Sequence, residues 1–426
     1  MSNTTGDPID LFKRALAKDD AASFMSLLER YPAMKAKINE PVAAFDSPLI
    51  MHVRSREMLN ALLEAGADIN AKSCWWAGGF GLLHGAEPDL ARYAIERGAV
   101  VDVHAATRLG LIGDLRQLIT ANPALVHAPG GDGQTPLHFA STVESADYLL
   151  NHGAHIDARD VDHESTPAQY MVRDRPDVAR YLVSRGCRTD ILMATALGDI
   201  DLVRRHLEND PACIRMSVSE RHFPKQNPRS GGIIYIWTLG QNKTAHMIAR
   251  EFGHEDVFRL LMERSPEELE LAQACELGDE ATFKALLAAQ PNLVQTLSVE
   301  ERRKVANAAQ NNNTAAVRLM LSVGWPCDVG GQHGGTPLHW AAFHGNAEMV
   351  EVILCYNPPL ERVDNDFHST PLGWAIHGSE HGWYSSTGNY VATVEALLKA
   401  GASCPEQIEG SKAVKAALLR FGSRRR

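Results

Sequence analysis

The chain has 426 residues, more than the roughly 250–300 at which a single hydrophobic core stops growing, so several domains or a repeat array are expected. Its hydrophobic fraction of 45% is ordinary for a folded protein and excludes wholesale disorder. A formal net charge of −10 argues against nucleic-acid binding, which needs clustered Lys and Arg.

The sequence predicts a cytoplasmic protein in a reducing compartment. Its first eight residues lack the basic and apolar regions of a signal peptide. No window approaches the about 18 uninterrupted apolar residues of a membrane span, so no membrane association is expected. The seven cysteines form no Cys-x-x-Cys pair, and their odd number leaves one unpaired, which favours free thiols.

Taken in chain order, the predicted elements are short helices in pairs. The first helix of many pairs starts at Thr-Pro-Leu or a degenerate form of it, because Thr caps a helix and Pro fits its first turn. Such segments begin at residues 47, 135, 166, 244, 336 and 370. The second helix closes with Leu-Leu and Gly-Ala before a hairpin tip, as at residues 62–67.

A second series of helix pairs lacks the Thr-Pro-Leu element and ends its second helix at a proline. These prolines are Pro32, Pro123, Pro211 and Pro291. With one further unit at residues 301–324, the two series give about twelve units between Leu11 and Leu419.

Residues 336–341, Thr-Pro-Leu-His-Trp-Ala, resemble the ankyrin signature Thr-Pro-Leu-His-x-Ala, and residues 135–140 are a second copy. The resemblance implies an all-α fold, an ankyrin-repeat solenoid of about twelve helix–turn–helix units with short β-hairpin tips. It also implies that inner helices and hairpin tips line a concave surface where ligands bind.

The repeat spacing predicts five segments. They are an N-terminal capping unit at 1–45, the first half of the array at 46–215, an inserted finger at 216–243, the second half at 244–402, and a C-terminal cap with a basic tail at 403–426. A second inserted loop, at 378–390, interrupts the second half. Long loops in a compact scaffold are usually functional or disordered, and the aromatic content of these two favours function.

The finger is cationic near its tip, and residues 233–237 alternate aliphatic and aromatic side chains, which predicts a strand. Two adjacent tryptophans, Trp75 and Trp76, stand at another predicted tip, where they need either a partner or a neighbouring repeat. From these segments we take as candidate binding residues Trp75, Trp76, Lys225, Arg229, Tyr235 and Trp237.

The position after the motif histidine points partly into the predicted groove. It carries aromatic, His and Arg residues where Leu or Ala would suffice as filler, and these residue types dominate binding hot spots. The alternative is that they pack sideways on the next helix. The candidates at this position are His84, Arg108, Phe139, Tyr170, Trp340 and Trp374.

Histidines are concentrated near the second insertion. His344 and His377 are predicted near the groove end of adjacent inner helices, with Asp366 on the tip between them, so all three join the candidate site. No metal-binding spacing, nucleophile elbow or phosphate loop appears. We therefore expect neither metal nor cofactor. If the protein is an enzyme, proton transfer is assigned to His222, His344 or His377.

Two interpretations remain open. In the first, the protein recognises a partner protein segment on its concave groove. In the second, the inserted loops close a His- and Trp-lined pocket over the groove, giving a binder of a small anionic molecule or a cofactor-independent hydrolase, lyase or isomerase. A finger that projects into solvent would count against the second interpretation, and a covered pocket would support it.

Overall fold

A computed structural model describes residues 7–424, with side chains up to Phe421. The first six residues of the predicted cap and the last two arginines of the predicted basic tail lie outside the described residues. The chain divides into two compact units, the first formed by residues 1–199 and 218–241 and the second by 200–217 and 242–426. The finer domain boundaries drawn from the sequence remain predictions.

The first unit is built from short helices. They are α1 Pro8–Ala17, α2 Ala21–Arg30, α3 Arg56–Glu64, α4 Leu82–Gly85, α5 Pro88–Glu96, α6 Val103–Arg108, α7 Ile112–Ala121, α8 Val143–Asn151, α9 Pro167–Met171, α10 Pro176–Ser184 and α11 Ile191–Ala196. Single 3-10 turns replace some inner helices, as at Leu49–His52 and Pro136–Phe139.

The second unit continues the same pattern. Its helices are α12 Ile200–Asn209, α13 Ala245–Glu251, α14 Glu255–Arg264, α15 Glu267–Leu277, α16 Glu280–Ala289, α17 Val299–Gln310, α18 Thr314–Ser322, α19 Pro337–Phe343, α20 Ala347–Leu354, α21 Pro371–His381, α22 Tyr390–Ala400 and α23 Lys412–Arg424. None of the described helices is long and apolar enough to cross a membrane. The described tips contain isolated β-bridges, such as the one between Lys72 and Gly81, rather than strands.

The motif histidines tie each repeat to the next tip. In His138 and His339, Nδ1 accepts the backbone N–H of the Thr three residues earlier at 3.1 Å. The same rings use Nε2 to donate to the carbonyls of Ser165 and Ser369, also at 3.1 Å. Both ring nitrogens are therefore committed to the backbone. The all-α ankyrin-repeat fold predicted from these segments is confirmed.

The finger does not form the predicted strand. Its backbone N–H groups form hydrogen bonds within the finger and to a neighbouring tip. Ile236 N donates to the Ile233 carbonyl at 3.0 Å, and Ile234 N donates to Ser165 Oγ at 3.0 Å. A wide helical turn, Ile236–Gly240, follows. The first three residues of the hydrophobic run, Ile233, Ile234 and Tyr235, are buried against the repeats instead of pairing with a second strand, whereas Trp237 is exposed.

The finger folds back onto the tip at residues 160–165 and does not project into solvent. The Glu164 carboxylate accepts the backbone N–H of Asn227 at 2.7 Å. The Asp162 carbonyl accepts Gly231 N at 2.9 Å. Tyr235, a residue of the finger, is fully buried, and its hydroxyl donates a hydrogen bond to Asp190 at 3.0 Å. The second insertion is shorter than predicted because α21 continues to His381.

Candidate functional site

A cavity of about 570 Å³ lies under the finger in the first unit, and we call it the finger pocket. Its wall is aromatic. Its lining includes Phe45, Met51, His52, Trp75, Trp76, Phe80, Asp132, Asp162, His163, Tyr170, Arg229, Ile234 and Trp237. The volume falls in the range of pockets that take small molecules.

Four residues predicted from the loops meet on one side of the finger pocket. Trp75 packs edge-to-face on Phe45, with ring centroids 5.3 Å apart, and lies 6.3 Å from the Trp76 ring. The Arg229 guanidinium lies over the Trp76 ring, 4.4 Å from its centroid, in a cation–π contact. Trp237, which is 73% exposed, also lines the pocket. The finger and the tryptophan tip thus share one site.

The polar floor of the finger pocket consists of Asp132, Asp162 and His163, which sequence reasoning missed. One ligand atom from each lies within 4.8 Å of the other two. Burial is the main cause that raises the pKa of Asp132 to about 6; the charges of Asp162 and Asp160 add to the effect, while His163 opposes it. An alignment of the repeat tips on their helix-capping threonines would have found these residues. Asp132 and His163 each stand three positions before such a threonine, and Asp162 stands four positions before it.

Tyr170, another predicted residue, stands beside this floor and lines the pocket. Its hydroxyl donates to Asp160 Oδ2 at 3.0 Å. Burial and the neighbouring carboxylates, Asp160 first, raise the pKa of Tyr170 far above its usual value. Tyr170 is therefore a fixed neutral donor rather than an acid or base.

The second unit has its own cavity, about 400 Å³, which we call the tryptophan pocket. It is lined by His333, Trp340, Phe343, Phe367, Ser369, Trp374, His377 and Trp383. Trp340 and Trp374 are nearly buried, at 3% and 6% exposure, and meet edge-to-face at 4.9 Å. Trp383 from the second insertion stacks on Trp340 at 6.1 Å. The predicted tryptophans therefore pack against neighbours and also face a cavity.

Charged groups of the second unit surround the tryptophan pocket. Asp366 accepts a hydrogen bond from His333 at 2.6 Å. Trp374 donates its indole N–H to Asp364 at 2.9 Å, and Asp364 also accepts three backbone N–H groups. Burial acts to raise the pKa of Asp364, but these donors outweigh it and hold the pKa below its usual value. His377 is exposed at the mouth of the pocket.

Several predicted residues are used by the fold rather than by a site. His84 bonds Asp102 through Nε2 at 3.0 Å, and Nδ1 accepts Gly81 N. Arg108 donates to the carbonyl of Ala86 at 2.7 Å and to two more at the same helix end. Phe139 is buried between two histidine rings. These three side chains contact neighbouring repeats, and Tyr235 anchors the finger.

The three histidines assigned to proton transfer do not form one constellation. His344 is 2% exposed, donates Nε2 to the Gln310 carbonyl at 2.9 Å, and burial lowers its pKa. His377 belongs to the tryptophan pocket. His222 and Lys225 line a different cleft, of about 390 Å³, in the first unit, where Lys225 pairs with Glu220 at 3.1 Å.

Comparison with known families agrees with the helix-pair architecture. A family model described as ankyrin repeats (3 copies) matches residues 271–364 and 305–408, and the single ankyrin repeat model matches residues 132–161. The chain is an ankyrin-repeat protein. The tryptophan pocket of this ankyrin-repeat protein lies within the matched triple repeat, whereas the finger pocket shares only Asp132 with the matched single repeat.

Relatives share only part of this ankyrin-repeat chain. It is 35% identical over 92 residues to the E3 ubiquitin-protein ligase XB3 of Oryza sativa subsp. japonica, covering 21% of this chain and 20% of the relative. The probable E3 ubiquitin-protein ligase XBOS31 of the same plant is also 35% identical over 92 residues, 21% of each chain. The palmitoyltransferase Hip14 of Drosophila melanogaster is 27% identical over 97 residues, 23% of this chain and 15% of that one. The matches span about a fifth of these relatives or less.

Proposed function

We propose that the protein binds a segment of a partner protein by taking a basic side chain of that segment into the tryptophan pocket. Its ankyrin repeats support a protein-interaction role, and the pocket supplies a place for recognition. The observation that carries the proposal is the lining of one 400 Å³ cavity by three tryptophans, Trp340, Trp374 and Trp383.

Charge and exposure favour a basic occupant. Aromatic faces attract cations, and the residues described as lining the pocket include neither Lys nor Arg. Asp366, whose side chain is 55% exposed, lies on the adjoining tip. The rim residues Trp383 and Phe367 are 65% and 64% exposed, so a partner can reach them without unfolding the repeats.

A peptide-library selection on the full chain tests the proposal. Selected peptides should carry Lys or Arg at a fixed position, and Trp383→Ala or Phe367→Ala should weaken their binding by at least about tenfold. Val299→Ala, which removes an exposed apolar side chain outside the pocket, should leave binding unchanged. Selected peptides that bind all three variants equally would refute the assignment, as would a selection without basic residues.

A second candidate function is binding of a small anionic molecule in the finger pocket. It is favoured by the finger lying over a 570 Å³ cavity with the Arg229 guanidinium in its wall. A thermal-shift screen of small carboxylates and phosphates tests it. Hits should be lost in Arg229→Gln and kept in Arg92→Gln, an exposed arginine outside the pocket. A screen without hits, or hits insensitive to Arg229→Gln, would reject this function.

A further inference from the structure

The tips that form the two pockets occupy equivalent positions in their repeats. Counted back from the helix-capping threonines, Asp132 corresponds to His333, Asp162 to Asp366, and His163 to Phe367. The backbone agrees with this alignment. Val161 N donates to the Asp132 carbonyl at 2.8 Å, and the equivalent Asn365 N donates to the His333 carbonyl at 2.8 Å. The two sites therefore differ in side chains on a shared backbone arrangement.

The second unit pairs its tip residues internally, because His333 Nδ1 donates a hydrogen bond to Asp366 Oδ2 at 2.6 Å. The first unit has two carboxylates, Asp132 and Asp162, at the same two positions. Two neighbouring carboxylates repel each other unless a cation or a proton lies between them. A histidine, His163, replaces the phenylalanine of the second unit beside this pair.

The tautomer of His163 is fixed by the finger. Its Nδ1 donates to the Gly232 carbonyl at 2.8 Å, so in the neutral ring Nε2 carries the lone pair. Metal-bound histidines commonly donate their other ring N–H to a backbone carbonyl in this way. His163 is therefore prepared as a ligand by a contact that only the folded-back finger provides.

The two carboxylates also have ligand oxygens to spare. Asp162 Oδ1 accepts Gly231 N at 2.9 Å, and Oδ2 remains for another partner. Asp132 Oδ1 is buried and has no hydrogen-bond partner among the described residues. The indole N–H of Trp75, in the wall of the same cavity, is directed at the Asp132 carboxylate and acts to lower its pKa. A buried carboxylate oxygen without a full hydrogen-bond partner is costly, and a cation beside Asp132 Oδ1 would satisfy it.

In a second cluster with ligand spacing, His84, Asp102 and His104, the residue His84 fails the same tautomer criterion. His84 Nδ1 accepts the backbone N–H of Gly81, so the ring proton is on Nε2, where it donates to Asp102. A metal at Nε2 would have to displace that proton and leave an imidazolate. His84 and Asp102 instead form the capping contact of their repeat.

We propose that Asp132, Asp162 and His163 bind one divalent first-row transition cation on the floor of the finger pocket. Two carboxylates and one imidazole suit ions of the Mn²⁺, Fe²⁺ and Zn²⁺ group, and three protein ligands leave positions open to the cavity. An anionic small molecule could then contact both the cation and the Arg229 guanidinium. The proposal is independent of partner-segment binding, which concerns the second unit.

The test uses Mn²⁺ alone on the full chain, cleared of metal with a chelator, and counts the bound ion by electron paramagnetic resonance. Mn²⁺ is preferred to Zn²⁺ because the seven free cysteines would bind zinc elsewhere. One Mn²⁺ should bind per chain. Asp132→Asn and His163→Asn, whose amide can keep the bond to Gly232, should each weaken binding by at least about tenfold.

Two matched variants of the second unit complete the design. Asp366→Asn alters the position equivalent to Asp162 and should leave Mn²⁺ binding unchanged. The double variant His333→Asp, Phe367→His copies the triad into the tryptophan pocket without the finger contact to the histidine, so any second Mn²⁺ should bind more weakly than the first. Circular dichroism confirms that each variant is folded. No binding by the wild type at millimolar Mn²⁺, or equal loss in Asp132→Asn and Asp366→Asn, would overturn the proposal.

Discussion

Replacing the two buried motif histidines by glutamine should make the protein more resistant to acid. Burial is the main cause that lowers the pKa of His138 and of His339 from 6.5 to about 4, against hydrogen bonds to backbone carbonyls that favour the charged ring. The chain itself shows that glutamine fits this position. Gln169 stands at the equivalent place in another repeat and accepts Thr166 N through Oε1 at 2.9 Å.

The sign and size of the effect follow from the two pKa values. Between pH 6.5 and about pH 4, the unfolded state binds a proton at each histidine and the folded state does not, so stability falls as pH decreases through this window. Moving from pH 7 to pH 5 should cost about 2 kcal/mol for each of His138 and His339. His138→Gln and His339→Gln should each remove that loss.

Urea unfolding of the wild type, both single variants and the double variant at pH 7 and pH 5 measures this difference. His138 reports on the first unit and His339 on the second. Each variant should keep more of its pH 7 stability at pH 5 than the wild type does, and the m-value should stay the same. If His138→Gln loses as much stability on acidification as the wild type, the buried neutral histidine is not the acid-sensitive element.

Three further substitutions probe contacts that hold the first unit. Arg175→Lys should destabilise it by about 1.5–3 kcal/mol in urea unfolding, because the half-buried Arg175 donates from Nη1 to two carbonyls at 2.9 Å and the shorter lysine does not place its ammonium at that atom. Tyr235→Phe removes the donor to Asp190; it should cost about 1–3 kcal/mol and speed proteolytic cleavage of the finger. Gly78→Ala should lower the free energy of unfolding by at least about 1 kcal/mol, because Gly78 has φ +144° and an added Cβ would lie 2.1 Å from Gly130 O. Unchanged stability in any of the three would mean that the contact is absent in solution.

The repeat fold could be predicted from the sequence because its signals are local. Thr135 and Thr336 cap their helices, the following prolines fit the first turn, and the histidines accept the backbone N–H of those threonines, all within a few residues. The strand predicted at residues 233–237 was wrong for the converse reason. Whether an apolar run pairs as a strand or packs on a helix depends on a partner distant in sequence, here the tip at residues 160–165.

The candidate site was predicted only in part, and the reason is again distance along the chain. Trp75, Trp76, Arg229 and Trp237 were identified from unusual loop composition, but nothing in the sequence showed that two separate loops meet in one cavity. Residues selected by groove position alone, such as Arg108, were used by the fold. A side chain at a fixed repeat position can point to a ligand or to the neighbouring helix. The sequence spacing is the same in both cases, so it does not distinguish them.

The equivalent tips show why the fold alone does not determine the function. Asp160 and Asp364 each close their tip by accepting the backbone N–H of the serine five residues later, and each accepts a donor from an inner helix, the Tyr170 hydroxyl or the Trp374 indole. With the backbone held by these shared bonds, other tip positions can change without cost to the repeat. One unit then presents two carboxylates and an imidazole where the other presents a hydrogen-bonded His–Asp pair and a phenyl ring, so the chemistry of each pocket is set by three side chains and not by the repeat.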